Sequence, residues 1–141
     1  MAFMRPLGDT GLTVSALGLG TVRSGRDRGV KYPSALTIPD DQAVIALLAR
    51  ARDLGINLID TAPAYGRSEE RLGQLLSDRR AWVIVSKVGE EFDHGESHFN
   101  FTPEHVRALG ERSLSRLRTD YLDVLLCHCD GTGADVGRQG T

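Results

Sequence analysis

The chain has 141 residues, of which 40% are hydrophobic and 26% are charged, and this size and composition are ordinary for one globular domain with its own core. Lys and Arg number 17 against 19 Asp and Glu, so the charge balance does not favour a nucleic acid or an anionic membrane as a partner. No apolar run reaches the roughly 18 residues of a membrane span, and the start lacks the apolar core of a signal peptide. The predicted location is therefore the cytoplasm.

The N-terminal part of the chain predicts a hairpin, a strand and a long loop. Turn residues between short apolar segments make residues 5–15 a hairpin candidate. Residues 16–21, ALGLGT, follow as the first strand, and their glycines allow a ligand or a backbone to approach closely. Residues 22–37 are rich in Arg, Gly, Lys, Pro and Ser, which predicts a loop.

Three predicted helices alternate with three further strands. Asp40 and Asp41 open the first helix with a broad apolar face, and Gly55 ends it. Ser68 is expected to cap the second helix, and Thr102 and Pro103 to begin the third. The remaining predicted segments are strands at 56–60, 81–88 and 121–128, a polar loop at 89–101, and a disordered tail at 130–141.

This element order predicts one α/β domain over residues 1–141. Strands that alternate with helices form a parallel sheet through right-handed crossovers. The predicted loops are long after strands and short before them, so the elaborate side of the sheet is the side of the strand C-termini. That asymmetry favours a TIM-barrel type of βα repeat over a flavodoxin-like sheet.

Three of the predicted strands end in a titratable side chain. The strand at 56–60 ends at Asp60, the strand at 81–88 carries Lys87, and the strand at 121–128 ends at His128. Side chains alternate along a strand, so each of the three continues an apolar row and the three can converge at one rim. Tyr65 can reach the same rim from the loop after Asp60.

These four side chains predict proton transfer to a carbonyl group. An ammonium near a tyrosine hydroxyl favours the phenolate, which makes Tyr65 a proton donor near neutral pH. Asp60 would pair with Lys87, and a neutral His128 could hydrogen-bond to a substrate carbonyl and polarise it. Hydride would have to arrive from another group.

Four segments resemble the aldo-keto reductase superfamily in order and in spacing. They are LGLGT at 17–21, NLIDTAPAYG at 57–66, VIVSKVG at 83–89 and RLRTDYLDVLLCH at 116–128. The resemblance implies a (β/α)8 barrel plugged by the N-terminal hairpin, and reversible NADPH- or NADH-dependent reduction of aldehydes or ketones. Residues 89–101 look most like the bacterial branch that acts on sugars and small aldehydes.

The resemblance also implies a role for each site residue. Tyr65 is the general acid, Lys87 and Asp60 tune it, and His128 positions the carbonyl. Gly20, Thr21 and Asp60 would contact the cofactor.

Four strands are half of the eight that such a barrel needs, and the resemblance covers the first half of the family's length. In the family most dinucleotide contacts come from the second half. Three hypotheses follow: a homodimer whose two halves complete a barrel, a truncated non-enzymatic remnant, or a module that binds carbonyl compounds or sugars without hydride transfer.

Two other motifs have simpler interpretations. Cys127 and Cys129 flank His128, but strand alternation points both thiols away from the imidazole, so we predict packing cysteines in a reducing compartment and no metal site. The glycines at 17–20 lack the spacing of a dinucleotide-binding fingerprint.

Overall fold

The computed structural model describes residues 3–30, 37–129 and 131, with eight strands and three α-helices in those ranges. The strands are β1 (Met4–Pro6), β2 (Thr13–Ser15), β3 (Gly18–Gly20), β4 (Leu58–Asp60), β5 (Val83–Val88), β6 (Glu90–Asp93), β7 (Glu96–Phe99) and β8 (Val124–Cys127). The helices are α1 (Asp41–Asp53), α2 (Ser68–Leu75) and α3 (Pro103–Leu117). Over the described ranges, none of the helices has the length and apolar character needed to cross a membrane.

Strands β3, β4, β5 and β8 form one parallel sheet in that order. Helices α1, α2 and α3 lie between these strands in the sequence, so each consecutive pair of strands is joined by a crossover, as predicted. Strands β1 and β2 pair separately as the predicted N-terminal hairpin. The observed parallel strands are shorter than the predicted segments, because only the residues that pair in register form the ladder.

The hydrophobic core lies between the helices and one face of the sheet. Ile59 of β4 and Ile84 of β5 are register partners at its centre and are fully buried. Its remaining buried members are Val44, Leu48, Ala51, Leu72, Trp82 and Leu117.

Helix α1 buries a narrower face than the sequence predicted. Val44, Leu48 and Ala51 are buried, whereas Ile45 and Leu47 on the flanks of this stripe are about half exposed. A helix that packs on a sheet from one side covers only the side chains that recur every three or four residues. The apolar face of α1 is therefore broader than the stripe that is buried against the sheet.

Two helix starts agree with the sequence and one does not. Asp40 caps α1 by accepting a hydrogen bond from the Ala43 N–H at 2.8 Å, and Thr102 precedes Pro103 at the start of α3. Ser68, predicted as the cap of α2, is instead its first residue, and Arg67 occupies the cap position. The hydroxyl of Ser68 makes tertiary hydrogen bonds instead.

Residues 89–101 are not the polar loop that the sequence predicted. They contain the antiparallel hairpin β6–β7, in which Glu90 pairs with Phe99 and Phe92 with Ser97. His94 and Gly95 turn the chain with positive φ angles of 49° and 90°, a conformation that glycine adopts at little cost. The predicted tail at 130–141 lies outside the described residues, apart from Gly131.

Candidate active site

Lys87 and Asp60 form an ion pair at the C-terminal edge of the parallel sheet. Lys87 Nζ donates to Asp60 Oδ1 at 2.7 Å and to the Thr61 carbonyl at 3.0 Å. The Lys87 side chain is 11% exposed and that of Asp60 is 41% exposed. The ammonium is thus held away from solvent by two oxygens, while the carboxylate keeps an open side.

Tyr65 and His128 lie next to this ion pair. Lys87 Nζ sits over the Tyr65 ring, 4.7 Å from its centroid. The rings of Tyr65 and His128 meet edge to face, with centroids 5.8 Å apart and planes at 87°. The backbone N–H of His128 donates to the Val88 carbonyl at 2.8 Å, which extends the pairing of β8 with β5. The structure therefore brings together Asp60, Lys87 and His128, which strand alternation placed at one rim, and Tyr65, which the loop after Asp60 was expected to bring there.

The turn that carries Tyr65 is held by a close backbone contact with the loop after β3. A Cβ on Gly25 would lie 2.2 Å from both the Tyr65 carbonyl oxygen and the Ser68 nitrogen, and one on Gly66 would lie 2.0 Å from the Gly25 carbonyl oxygen. Real side chains do not reach such distances, so both positions require glycine. This contact fixes the height of the phenol above the sheet.

A buried chain of hydroxyl groups ties the same turn to the strand ends. Thr21 Oγ1 donates to the Asp60 carbonyl at 2.8 Å and accepts from Ser68 Oγ at 2.7 Å. Ser68 Oγ also lies 3.1 Å from Thr61 Oγ1. Ser68, at the start of α2, thereby supports the backbone on which Asp60 stands. The only proton of the Thr21 hydroxyl is already committed to the protein.

Two charged residues of the site were missed in the sequence. Glu90 Oε2 lies 2.8 Å from His128 Nδ1, although the contact lacks the alignment of a directed hydrogen bond. Glu90 is buried, and its Oε1 accepts from Ser97 Oγ at 2.7 Å and lies 3.7 Å from Arg26 Nη1. Glu90 lies at the start of a segment that was predicted to be a polar loop, and Arg26 lies in a stretch rich in charged residues. The local sequence therefore did not indicate that either residue belongs to the site.

Arg26 joins the loop after β3 to the hairpin β6–β7. Its guanidinium stacks on the Phe92 ring, 3.4 Å from the centroid, and donates to the Ala64 carbonyl at 3.1 Å. Burial lowers the pKa of Arg26, and the neighbouring Glu90 carboxylate opposes that shift. Arg26 still remains a cation at pH 7, because the guanidinium group is so basic.

The electrostatic surroundings keep the His128 imidazole neutral. Burial lowers the pKa of His128 below its ordinary value of 6.5, and the positive charges of Lys87 and Arg26 act in the same direction. The carboxylates of Glu90 and Asp60 oppose the shift but do not outweigh the loss of solvent. At neutral pH His128 is therefore an uncharged donor and acceptor of hydrogen bonds.

The two cysteines beside His128 are free thiols and are exposed. Over residues 3–30, 37–129 and 131, no three His, Cys, Asp or Glu side chains are grouped so that they could hold a metal ion.

A scan against family models matches residues 16–135 to the aldo/keto reductase family. The match spans most of the chain and includes Asp60, Tyr65, Lys87 and His128. The chain belongs to the aldo/keto reductase family.

Solved structures of the family share its fold. One assigned as an aldo-keto reductase from Pseudomonas aeruginosa is 59% identical, with a TM-score of 0.88, over 98% of this chain and 51% of that one. An aldo-keto reductase from Bacillus halodurans is 28% identical, with a TM-score of 0.74, over 91% of this chain and 40% of that one. The described residues therefore form the N-terminal part of an aldo-keto reductase (β/α)8 barrel.

Two curated relatives of this chain carry a dehydrogenase and a reductase name. L-galactose dehydrogenase of Arabidopsis thaliana is 39% identical over 89% of this chain and 37% of its own length. The NADH-specific methylglyoxal reductase of Escherichia coli is 37% identical over 87% of this chain and 40% of its own length. The chain thus spans well under half of the length of these two proteins.

Proposed function

We propose that this chain carries the proton-transfer residues of an NAD(P)H-dependent oxidoreductase that reduces aldehydes or ketones, or oxidises the corresponding alcohols or sugars. Tyr65 is the general acid in this proposal. The supporting observation is the position of the Lys87 ammonium, which faces the Tyr65 ring at 4.7 Å while it is bound to Asp60 at 2.7 Å. A fixed positive charge next to a phenol stabilises the phenolate that forms when the proton leaves.

The two residues of the ion pair have different roles in this proposal. Lys87 supplies the positive charge, and burial away from water strengthens its effect on a neighbouring group. Asp60 and the Thr61 carbonyl hold the ammonium in place, so little reorganisation is needed when the phenol loses its proton. Asp60 therefore acts through Lys87.

A nicotinamide dinucleotide, when bound, supplies the hydride. Two of the three predicted cofactor contacts fit such a group. Asp60 keeps an exposed carboxylate edge that can accept hydrogen bonds from a sugar hydroxyl, and its register partner Gly20 has open space where a side chain would stand. Thr21 fits less well, because its hydroxyl proton is used within the protein. NADPH is the cofactor that we propose, with NADH as the alternative.

The substrate proposed here is a small carbonyl compound or a sugar. His128 meets the Tyr65 ring edge to face, so both side chains border the space where a carbonyl oxygen would receive its proton. The names of the two curated relatives concern a sugar and a small aldehyde, which agrees with that class.

Replacement of Tyr65 by Phe tests the proposal. The change removes the hydroxyl and keeps the ring, so we expect a loss of turnover on the order of a hundredfold or more, the usual scale of general-acid catalysis, with cofactor binding retained. Turnover is measured with NADPH and NADH against a panel of aldehydes and sugars, and binding by titration of the fluorescence of the reduced cofactor.

Tyr121→Phe is the matched control, because Tyr121 is half exposed and stacks on Arg79, away from the site. Equal turnover in the Tyr65→Phe variant and the wild-type protein would exclude Tyr65 as the acid. Binding without turnover in the wild-type protein would favour the hypothesis of a binding module.

A further inference from the structure

The Glu90 carboxylate is held beside the imidazole of His128 by two donors, Ser97 and Arg26. Its Oε1 accepts from Ser97 Oγ and faces Arg26 Nη1, and its Oε2 faces His128 Nδ1 at 2.8 Å. Nδ1 is itself buried, and no aligned hydrogen-bond partner lies near it in the described part of the chain. The charge of the carboxylate therefore acts on this ring nitrogen at close range.

We propose that Glu90 is a positioning residue for His128, which keeps the imidazole proton on Nδ1 and so determines what Nε2 offers to a substrate. The catalytic meaning of this inference rests on the proposed function. The position of the proton does not, because it is a property of the two side chains alone.

The hairpin β6–β7 and Arg26 prevent the carboxylate from turning away. Ser97 lies on β7, which pairs with β6, the strand that carries Glu90. Arg26 is fixed in turn by its stack on Phe92 and by its hydrogen bond to the Ala64 carbonyl. Because both groups are donors and both face Oε1, Oε2 is left for His128.

The carboxylate selects the proton position by electrostatics. At 2.8 Å a lone pair on Nδ1 would face the negative oxygen, whereas an N–H dipole on Nδ1 is attracted to it even without the alignment of a hydrogen bond. Nε2 then carries a lone pair. It can accept a hydrogen bond from a substrate hydroxyl, but it can donate to a carbonyl oxygen only after the His128 ring binds a second proton.

This arrangement predicts a pH dependence for carbonyl reduction. The protonated His128 ring polarises the carbonyl, so the rate of reduction should fall as the pH rises through the titration of His128, whose pKa burial lowers below 6.5. The groups that face His128 are Glu90 on β6, Lys87 on β5, Asp60 on β4, Arg26 in the loop after β3, and the Tyr65 ring.

The variant Glu90→Gln should move the proton to the other nitrogen. Gln has nearly the same shape, and its carbonyl oxygen would face the donors Ser97 and Arg26. Its NH₂ group would then point at His128 Nδ1 as a donor, so Nδ1 must become the acceptor and the proton must move to Nε2.

Nuclear magnetic resonance of ¹⁵N-labelled protein reads this directly, because the two neutral forms of a histidine ring give different nitrogen–hydrogen correlations. The His128 signals are assigned by their loss in the variant His128→Gln. We expect Nδ1–H in the wild-type protein and Nε2–H in Glu90→Gln, and the latter should also lose much of the pH dependence of reduction in the range below the ordinary histidine pKa of 6.5, where His128 titrates.

Glu91→Gln is the matched control. Glu91 is the next residue, and its carboxylate points to Arg112 and His105 instead of to His128. The control should leave the His128 ring signals unchanged. The proposal is overturned if the wild-type ring carries its proton on Nε2, or if Glu90→Gln keeps it on Nδ1.

A second variant covers the case in which Glu90→Gln does not fold. Glu90→Asp keeps the charge but draws the carboxylate back by one methylene, so the fraction of the Nε2–H form should rise above that of the wild-type protein. An unchanged fraction would contradict a positioning role. Absence of turnover in the wild-type protein, together with the expected shift of the proton in the variants, would leave the inference intact and count against the proposed function alone.

Discussion

At the scale of single residues, the site depends on charges that have been removed from water. Lys87 is neutralised by Asp60, and Glu90 lies between His128, Ser97 and Arg26. Burying an isolated ion is costly, so buried charges occur in pairs and networks. The consequence here is that Lys87 and Glu90 each have a partner of opposite charge within the protein.

The lowered pKa of His128 makes the folding stability depend on pH. Because the folded-state pKa lies below the ordinary 6.5, the unfolded chain binds a proton at a pH at which the folded chain does not. The contribution of His128 to the free energy of unfolding is therefore fully present above the pKa of the unfolded chain. It is lost as the pH falls from that value through the lower pKa of the folded protein.

Denaturant unfolding of the wild-type protein and of His128→Gln should reveal this window. The stability difference between the two proteins is expected to be constant above about pH 7.5 and to shift against the wild-type protein as the pH falls toward about 5. A difference that does not change with pH, or that shifts in favour of the wild-type protein in acid, would contradict the lowered pKa.

At the scale of elements, helix α2 is attached to the sheet by a buried carboxylate. Glu69 is fully buried, accepts a hydrogen bond from Ser86 Oγ of β5 at 2.6 Å, and faces Arg116 of α3 at 3.7 Å. One turn further along α2, Gly73 allows the backbone of α3 to approach so closely that a Cβ would lie 2.1 Å from the Arg116 carbonyl oxygen. These contacts set the height of α2, and with it the Tyr65 turn that precedes the helix.

Two buried serines provide a matched test of this attachment. Ser86 donates to Glu69, whereas the hydroxyl of the equally buried Ser113 in α3 has no hydrogen-bond partner among the described residues. Ser86→Ala should cost about 1–3 kcal/mol, because it leaves the buried carboxylate short of a donor. Ser113→Ala should be neutral or stabilising, since it removes an unpaired polar group and improves helix propensity.

Thermal and denaturant unfolding measure both changes. Equal effects of the two substitutions would show that the hydrogen bond between Ser86 and Glu69 contributes nothing beyond the loss of a buried oxygen atom.

At the scale of the whole molecule, the described sheet has two outer strands, β3 and β8. Leu125 and Leu126 of β8 point to opposite faces and are 45% and 44% exposed. Apolar side chains on a strand at the edge of a sheet favour association. We propose that two copies of the 141-residue chain, when it is produced alone, cover this surface by completing a barrel.

Sedimentation equilibrium tests this prediction. The 141-residue chain should sediment with the mass of two chains, and Leu126→Asp should reduce the mass to that of one chain. Leu47→Asp is the control, because Leu47 is 45% exposed on the outer side of α1 and should not change the mass. A wild-type mass of one chain would exclude the homodimer.

Local sequence patterns are enough to predict that four side chains lie together. The side-chain period of a strand and the common direction of parallel strands are enough to place Asp60, Lys87 and His128 on one rim, with Tyr65 one turn away. The start of α1 followed from the capping side chain of Asp40, and that of α3 from Pro103, whose fixed φ suits the first position of a helix. These properties depend on residues that are neighbours in the chain.

The groups that surround those side chains depend on packing between segments that are distant in the sequence. Glu90 meets His128 because residues 89–101 fold back as a hairpin, and Arg26 reaches Glu90 because the loop after β3 packs on the Tyr65 turn through Gly25. Packing between distant segments also explains Ser68, which is the first residue of α2 and not its cap. Its hydroxyl belongs to a buried network with Thr21 and Thr61. Contacts between distant segments depend on packing, which local sequence patterns do not encode.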